Sequence, residues 1–96
     1  MKKEQLEIIL KTAHDVGLGI TALRVLLILK DGGSQKLTYL ATMTGVTPAA
    51  MTGAADRLVR MGFVARTLDD NDRRVILLGI TPEGVSTVDN IFTSNK

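Results

Sequence analysis

Two Thr-Pro steps, Thr47-Pro48 and Thr81-Pro82, leave this chain few ways to fold. At each, a hydroxyl stands ready to accept from the orphan N–H groups of a first helical turn, and the proline that follows has no N–H to leave unsatisfied there. Each step therefore starts a helix. The stretch they bracket, TPAAMTGAADRLVRMGFVARTLDDNDRRVILLGITPEG, reads as a capped helix, a tight exit at Gly62, strand character over 63–67 and 75–79, and a polar tip over 69–74 between the strands. A helix, a charged hairpin and a second helix thus follow one another without a linker.

Upstream, residues 3–16 carry Leu6, Ile9, Leu10, Ala13 and Val16 or Gly17 on one side at helical spacing, which predicts an amphipathic helix that Gly17 and Gly19 end. Thr21 is expected to cap a second helix running to about Lys30; ALRVLLILK is apolar almost all round, so this helix should be the buried centre. Asp31-Gly32-Gly33 is its stop signal. A short third helix from about Lys36 to Thr44 turns Leu37, Leu40, Ala41 and Met43 inward, and Gly45 permits a left-handed exit. Gly45-Val46-Thr47 is then a three-residue turn into the helix over 48–61. The order is the plan of a winged helix-turn-helix: α+β, mainly α, with about five helices and a two- to three-stranded β-wing. We expect one domain over 1–96, its core at 21–84 and its flanking helices at 1–17 and 82–93.

The helix over 48–61 separates by face. Ala50, Met51, Ala54, Ala55, Leu58 and Val59 form one stripe, while Ala49, Thr52, Gly53, Asp56, Arg57 and Arg60 form the opposite one. One face is expected to pack and the other to meet a partner.

A chain of 96 residues buries roughly 60 to 65% of its unfolded surface, enough for a core without staples. The absence of Cys excludes disulfides, thiolate zinc sites and cysteine nucleophiles. Net charge is only +2, and Arg57, Arg60, Arg66, Arg73 and Arg74 are opposed by Asp56, Asp69, Asp70 and Asp72, so charge alone does not argue for a polyanion. The N-terminal MKKEQLEIIL has no uninterrupted apolar region or small-residue cleavage site, and the apolar run from Val25 to Leu29 is far too short to span a bilayer. A cytoplasmic protein without membrane association is the expectation. His14 reads as a surface or cap residue, Asp69, Asp70 and Asp72 as turn acids paired to Arg73 or Arg74, and Met43, Met51 and Met61 as core filler. With no nucleophile–base pair, metal set or phosphate loop, neither an enzyme nor a cofactor is expected.

These residues resemble the multiple-antibiotic-resistance regulator (MarR) family of transcription factors over roughly 21–84. The likeness rests on LATMTGVTPAAMTGAADRLVRMGFV and, more specifically, on DDNDRRVILLGITPEG, similar to the family's Asp-x-Arg wing followed by Leu-Thr-x-x-Gly, with Ile80 in the Leu position. The resemblance implies double-stranded DNA binding for transcriptional regulation, with the helix over 48–61 in the major groove and the wing over 67–75 in the minor groove. It implies DNA-facing roles for Lys36, Thr47, Ala49, Thr52, Gly53 and Arg57. Arg74 matches the arginine that reaches the minor groove, Arg73 is a phosphate-contact candidate, and Asp72 matches the acid that orients the wing arginine. A long arginine on a two-stranded ribbon can enter a narrow groove where negative potential is concentrated.

Two departures from the family pattern shape the expectation. Gly53 stands where members often carry a long polar side chain, and Ala49 and Ala50 offer no hydrogen bonds, so guanine readout by an arginine fork is not expected from this helix's front half. The chain also stops about a dozen residues after Pro82, where members usually continue into helices that build a dimer and frame a ligand pocket. The resemblance is therefore to a short form in which a small-molecule effector is not expected. Homodimerisation would have to use Leu6, Ile9, Leu10, Val88, Ile91 and Phe92. A winged-helix module that binds protein through the same face is the alternative.

Overall fold

A computed structural model describes residues 2–93. Five helices and three strands follow in the order α1 (Lys3–Asp15), α2 (Ile20–Gly32), β1 (Gln35–Lys36), α3 (Leu37–Thr44), α4 (Pro48–Arg60), β2 (Val64–Leu68), β3 (Ile76–Ile80) and α5 (Pro82–Thr93). This is the mainly helical α+β winged helix-turn-helix that the two Thr-Pro steps predict. The strands form one antiparallel sheet with β3 in the middle. Val64 opposes Ile80 and Leu68 opposes Ile76 along the hairpin, while Gln35 and Lys36 oppose Leu78 and Leu77 on its other edge.

The central helix is α2, whose Ala22, Leu23, Val25, Leu26 and Leu29 are all buried. Around it close Ile9 and Ala13 of α1, Leu40 and Ala41 of α3, Met51, Ala55 and Leu58 of α4, Val64 and Leu78 of the sheet, and Val88 and Ile91 of α5. Helices α1 and α2 are set at 99° to each other, and among the described residues no single helix is long and apolar enough to cross a membrane.

Both Thr-Pro starts are built as the sequence predicts. Thr47 Oγ1 accepts from the Ala50 amide at 3.1 Å, and Thr81 Oγ1 accepts from the Gly84 amide at 3.0 Å. Thr81 also donates its hydroxyl to the Gly62 carbonyl at 2.7 Å, and its amide reaches the Phe63 carbonyl at 3.0 Å, so α5 is pinned to the segment that enters β2. That contact leaves no room at Gly84, where a Cβ would fall on the Phe63 carbonyl oxygen.

Four local expectations need correction. Thr21 is not a cap: Gly19 holds the N-cap with extended backbone, its carbonyl accepting from Leu23 at 3.0 Å, and Thr21 lies in the first turn. Met43 points outward at 48% exposure, because the inward face of α3 is centred on Leu40, Ala41 and Thr44 and Met43 lies well over a quarter turn away. Ala50 is exposed for the same reason; Met51, Ala55 and Leu58 are the buried line of α4, with Ala54 and Val59 at its borders. The dimer stripe is the fourth. Ile9, Val88 and Ile91 are each no more than 2% exposed, being consumed by this chain's own core, whereas Leu6 and Leu10 stand at the surface and Phe92 is half-buried.

Candidate nucleic-acid interface

An ion pair joins the outward side of α4 to strand β2 of the wing. The outward side of α4 presents Ala49, Thr52, Gly53, Arg57 and Arg60 to solvent, as the separation of its faces predicts. Asp56 belongs to the same side and is half-buried, because it forms an ion pair with Arg66 of β2. That pair ties the helix to the wing and withdraws a carboxylate from an otherwise uncharged or cationic face. The Thr52 hydroxyl donates back to the Pro48 carbonyl at 3.0 Å, so it offers a partner its lone pairs and its methyl group. Thr47 is committed to its cap.

Gly53 has nothing within 4 Å of the place a Cβ would occupy. With Ala50 and Ala54 it leaves a groove of about 560 Å³ between α4 and the start of α2, to which Ile20, Val46 and Arg57 contribute. The small side chains that deprive α4 of long hydrogen-bonding groups thus also bring its backbone close to the surface.

The wing loop, residues 69–75, is organised by two aspartates. Asp69 accepts from the Asn71 amide at 2.8 Å, and Asp72 accepts from the Arg74 amide at 3.0 Å, each closing a local turn. Asp72 then grips the Arg74 side chain through both carboxylate oxygens, from Nε at 3.0 Å and Nη2 at 3.2 Å. This bidentate contact holds the Asp72 carboxyl below its ordinary value; the Arg74 side chain is the largest cause, its backbone N–H the next, and the charge of nearby Lys36 adds to them. The Arg74 side chain nevertheless remains 90% exposed. An ion pair this exposed contributes little to stability, so its effect is orientation: the arginine is aimed outward in one direction. Arg73 is exposed beside it, and Lys36 of β1 stands on the same sheet through its pairing with Leu77.

The nine predicted site positions therefore fall on two elements and one strand edge: Thr47, Ala49, Thr52, Gly53 and Arg57 on or beside α4, Asp72, Arg73 and Arg74 in the wing, and Lys36 on β1. One participant escapes a sequence reading. Arg24 of α2 donates to the carbonyls of Met43 at 3.0 Å and Thr44 at 3.3 Å, at the end of α3 where the chain turns toward α4. Nothing near Arg24 in the sequence signals a contact some twenty positions away.

The chain matches the MarR family model over residues 18–76, which span α2, α3, α4, β2 and the wing loop. It is 37% identical over 87 residues to the HTH-type transcriptional repressor MdtR of Bacillus subtilis, covering 91% of this chain and 56% of that protein. Among solved structures it resembles the YusO protein of Bacillus subtilis, with a TM-score of 0.85 and 33% identity over 97% of this chain and 66% of that one. It also resembles transcriptional regulator Tm0710 of Thermotoga maritima, with a TM-score of 0.90 and 25% identity over 96% of this chain and 65% of that one. The chain thus spans between half and two thirds of the length of these relatives, and its wing aspartate and arginine, its recognition-type helix and its Thr-Pro-x-Gly junction all lie in the shared part. The chain belongs to the MarR family.

Proposed function

We propose that this chain binds double-stranded DNA and regulates transcription, with α4 lying in a major groove and Arg74 of the wing reaching the adjacent minor groove. The observation that carries this reading is the outward Arg74, fixed by Asp72 at the tip of a hairpin whose strand β2 is joined to the outward side of α4 by the Arg66–Asp56 pair. Arg73 and Arg57 are placed for phosphates, and Lys36 adds positive charge at the wing base. Base discrimination falls to Thr52, to methyl contacts from Ala49, and to the close approach of backbone that Gly53 permits. We infer a site of modest selectivity, read partly through groove shape. MdtR, 37% identical over the shared part, is a transcriptional repressor.

The protein would act as a homodimer on a two-fold site, since paired half-sites multiply the affinity of a small module. Leu6 and Leu10 of α1, with Phe92 of α5, are the parts of the predicted stripe that remain for a partner.

Duplex titrations across a range of salt test the function. DNA binding through phosphates gives a linear fall of log affinity with log salt, with a slope near −0.9 for each phosphate neutralised, roughly −3 for Arg57, Arg73 and Lys36 of one copy and about −5 with their two-fold copies. A flat profile, or retention of a protein instead of DNA, would establish the protein-interaction module in its place.

A further inference from the structure

We propose that Arg24 is a positioning residue for DNA recognition, acting through the turn between α3 and α4 and not through the DNA itself; the inference rests on the DNA-binding reading above.

The last turn of a helix leaves its carbonyls without intrahelical donors. In α3 these groups are served one by one. Gly45, with left-handed backbone at φ 76°, donates to the carbonyls of Ala41 and Thr42, and Val46 donates to Ala41. The carbonyls of Met43 and Thr44 receive the guanidinium of Arg24, one through Nη2 and the other through Nη1. No basic residue occupies the last turn of α3. The cation that complements the negative end of this helix comes from α2, the central helix of the core.

Geometry makes this contact consequential. Only Gly45, Val46 and Thr47 separate α3 from α4. The direction in which α4 leaves the body of the domain is therefore set by the turn that follows the end of α3, and a fork with two bonds fixes that end more tightly than a single donor can. Helix α2 is itself tied to α5 by Lys30 and Asp89. Arg24 joins a rigid helix, held at its far end by α5, to the end of α3, three residues before the helix proposed to read DNA. A small rotation of that helix would move Thr52 and Gly53 relative to base edges while leaving phosphate contacts at the wing in place.

The test uses the whole chain and three versions of it: unaltered, Arg24→Met and Arg24→Lys. Binding is measured on a duplex selected by the unaltered chain from a random pool and on an unselected duplex, across salt, with hydrogen exchange at the Gly45 and Val46 amides alongside. Arg24→Met is expected to bind the selected duplex about tenfold more weakly, the size of one charge-assisted hydrogen bond. Affinity for unselected duplex and the salt slope should hardly change, and exchange at the turn should accelerate. Arg24→Lys keeps the charge and loses the fork, and should recover only part of the loss. An equal loss on both duplexes, with the salt slope reduced by about one and full rescue by Lys, would make Arg24 a phosphate contact and overturn the proposal. Variants that bind as the unaltered chain does would overturn it alone. An unaltered chain that binds neither duplex would remove the DNA-binding reading and this proposal with it.

Discussion

Gly53 and Gly84 are both helical and both small, yet they answer to opposite demands. Gly84 is buried where α5 meets the Phe63 carbonyl, and a methyl group there has to push backbone aside. Gly84→Ala should destabilise the domain by about 1–3 kcal/mol, the usual cost of overpacking. Gly53 sits in the interior of α4 with open space around it, where glycine gives up about 0.5–1 kcal/mol of helix stability relative to alanine. Gly53→Ala should therefore stabilise the domain by that amount while weakening its hold on DNA, because in the proposed complex the missing Cβ lets the helix approach. Denaturant unfolding together with duplex titration checks both; a destabilised Gly53→Ala, or a neutral Gly84→Ala, would contradict the packing described. Asp72 makes a third test at this scale. Its folded value lies below the ordinary 3.8, so the contact with Arg74 is fully formed above that value and is lost as pH falls through the lower one. Following the carboxyl by NMR should give a midpoint under 3.8, and a midpoint at or above it would mean that Arg74 is not held.

Between elements, the proposed interface divides the work between the wing and α4. Arg74→Ala should weaken binding most at sites with a narrow A·T minor groove, whereas Arg73→Ala should act evenly across sequences and lower the salt slope by about one for each bound copy. Titrations in which neither variant differs from the unaltered chain would remove the wing from the interface. The sequence makes these elements readable to unequal degrees. Thr47-Pro48 and Thr81-Pro82 are legible because a cap and the amide it serves lie three residues apart. The turn around Asp72 is legible for the same reason, its bond to Arg74 spanning two residues. Strand β1 is not: Gln35 and Lys36 are too few and too polar to carry a period, and they become a strand only by pairing with Leu78 and Leu77. Arg24 and the Arg66–Asp56 pair are tertiary contacts between distant positions, with no local trace. Gly19 caps α2 through its backbone alone, so the hydroxyl of Thr21 draws the eye to the wrong residue.

At the scale of the molecule, hydrophobic periodicity shows which side of a helix is apolar but not how much of that side the chain's own core will take. Ile9, Val88 and Ile91 go to the core, and Leu6 at 47% and Leu10 at 37% exposure are left outside it. If they join two copies, sedimentation at micromolar concentration should find a dimer that Leu6→Lys together with Leu10→Lys converts to a monomer with its fold intact; a monomer before substitution would leave a single-copy binder. The outward side of α4 and the tip of the wing are proposed to form one DNA-binding face. Amide chemical shifts followed while a selected duplex is added test it most directly. The perturbed amides are expected to cluster at Thr47, Thr52, Gly53, Arg57, Arg73 and Arg74, with the exposed side of α1 and the body of α5 little changed. Perturbations concentrated on α1 and α5, with α4 and the wing silent, would contradict it.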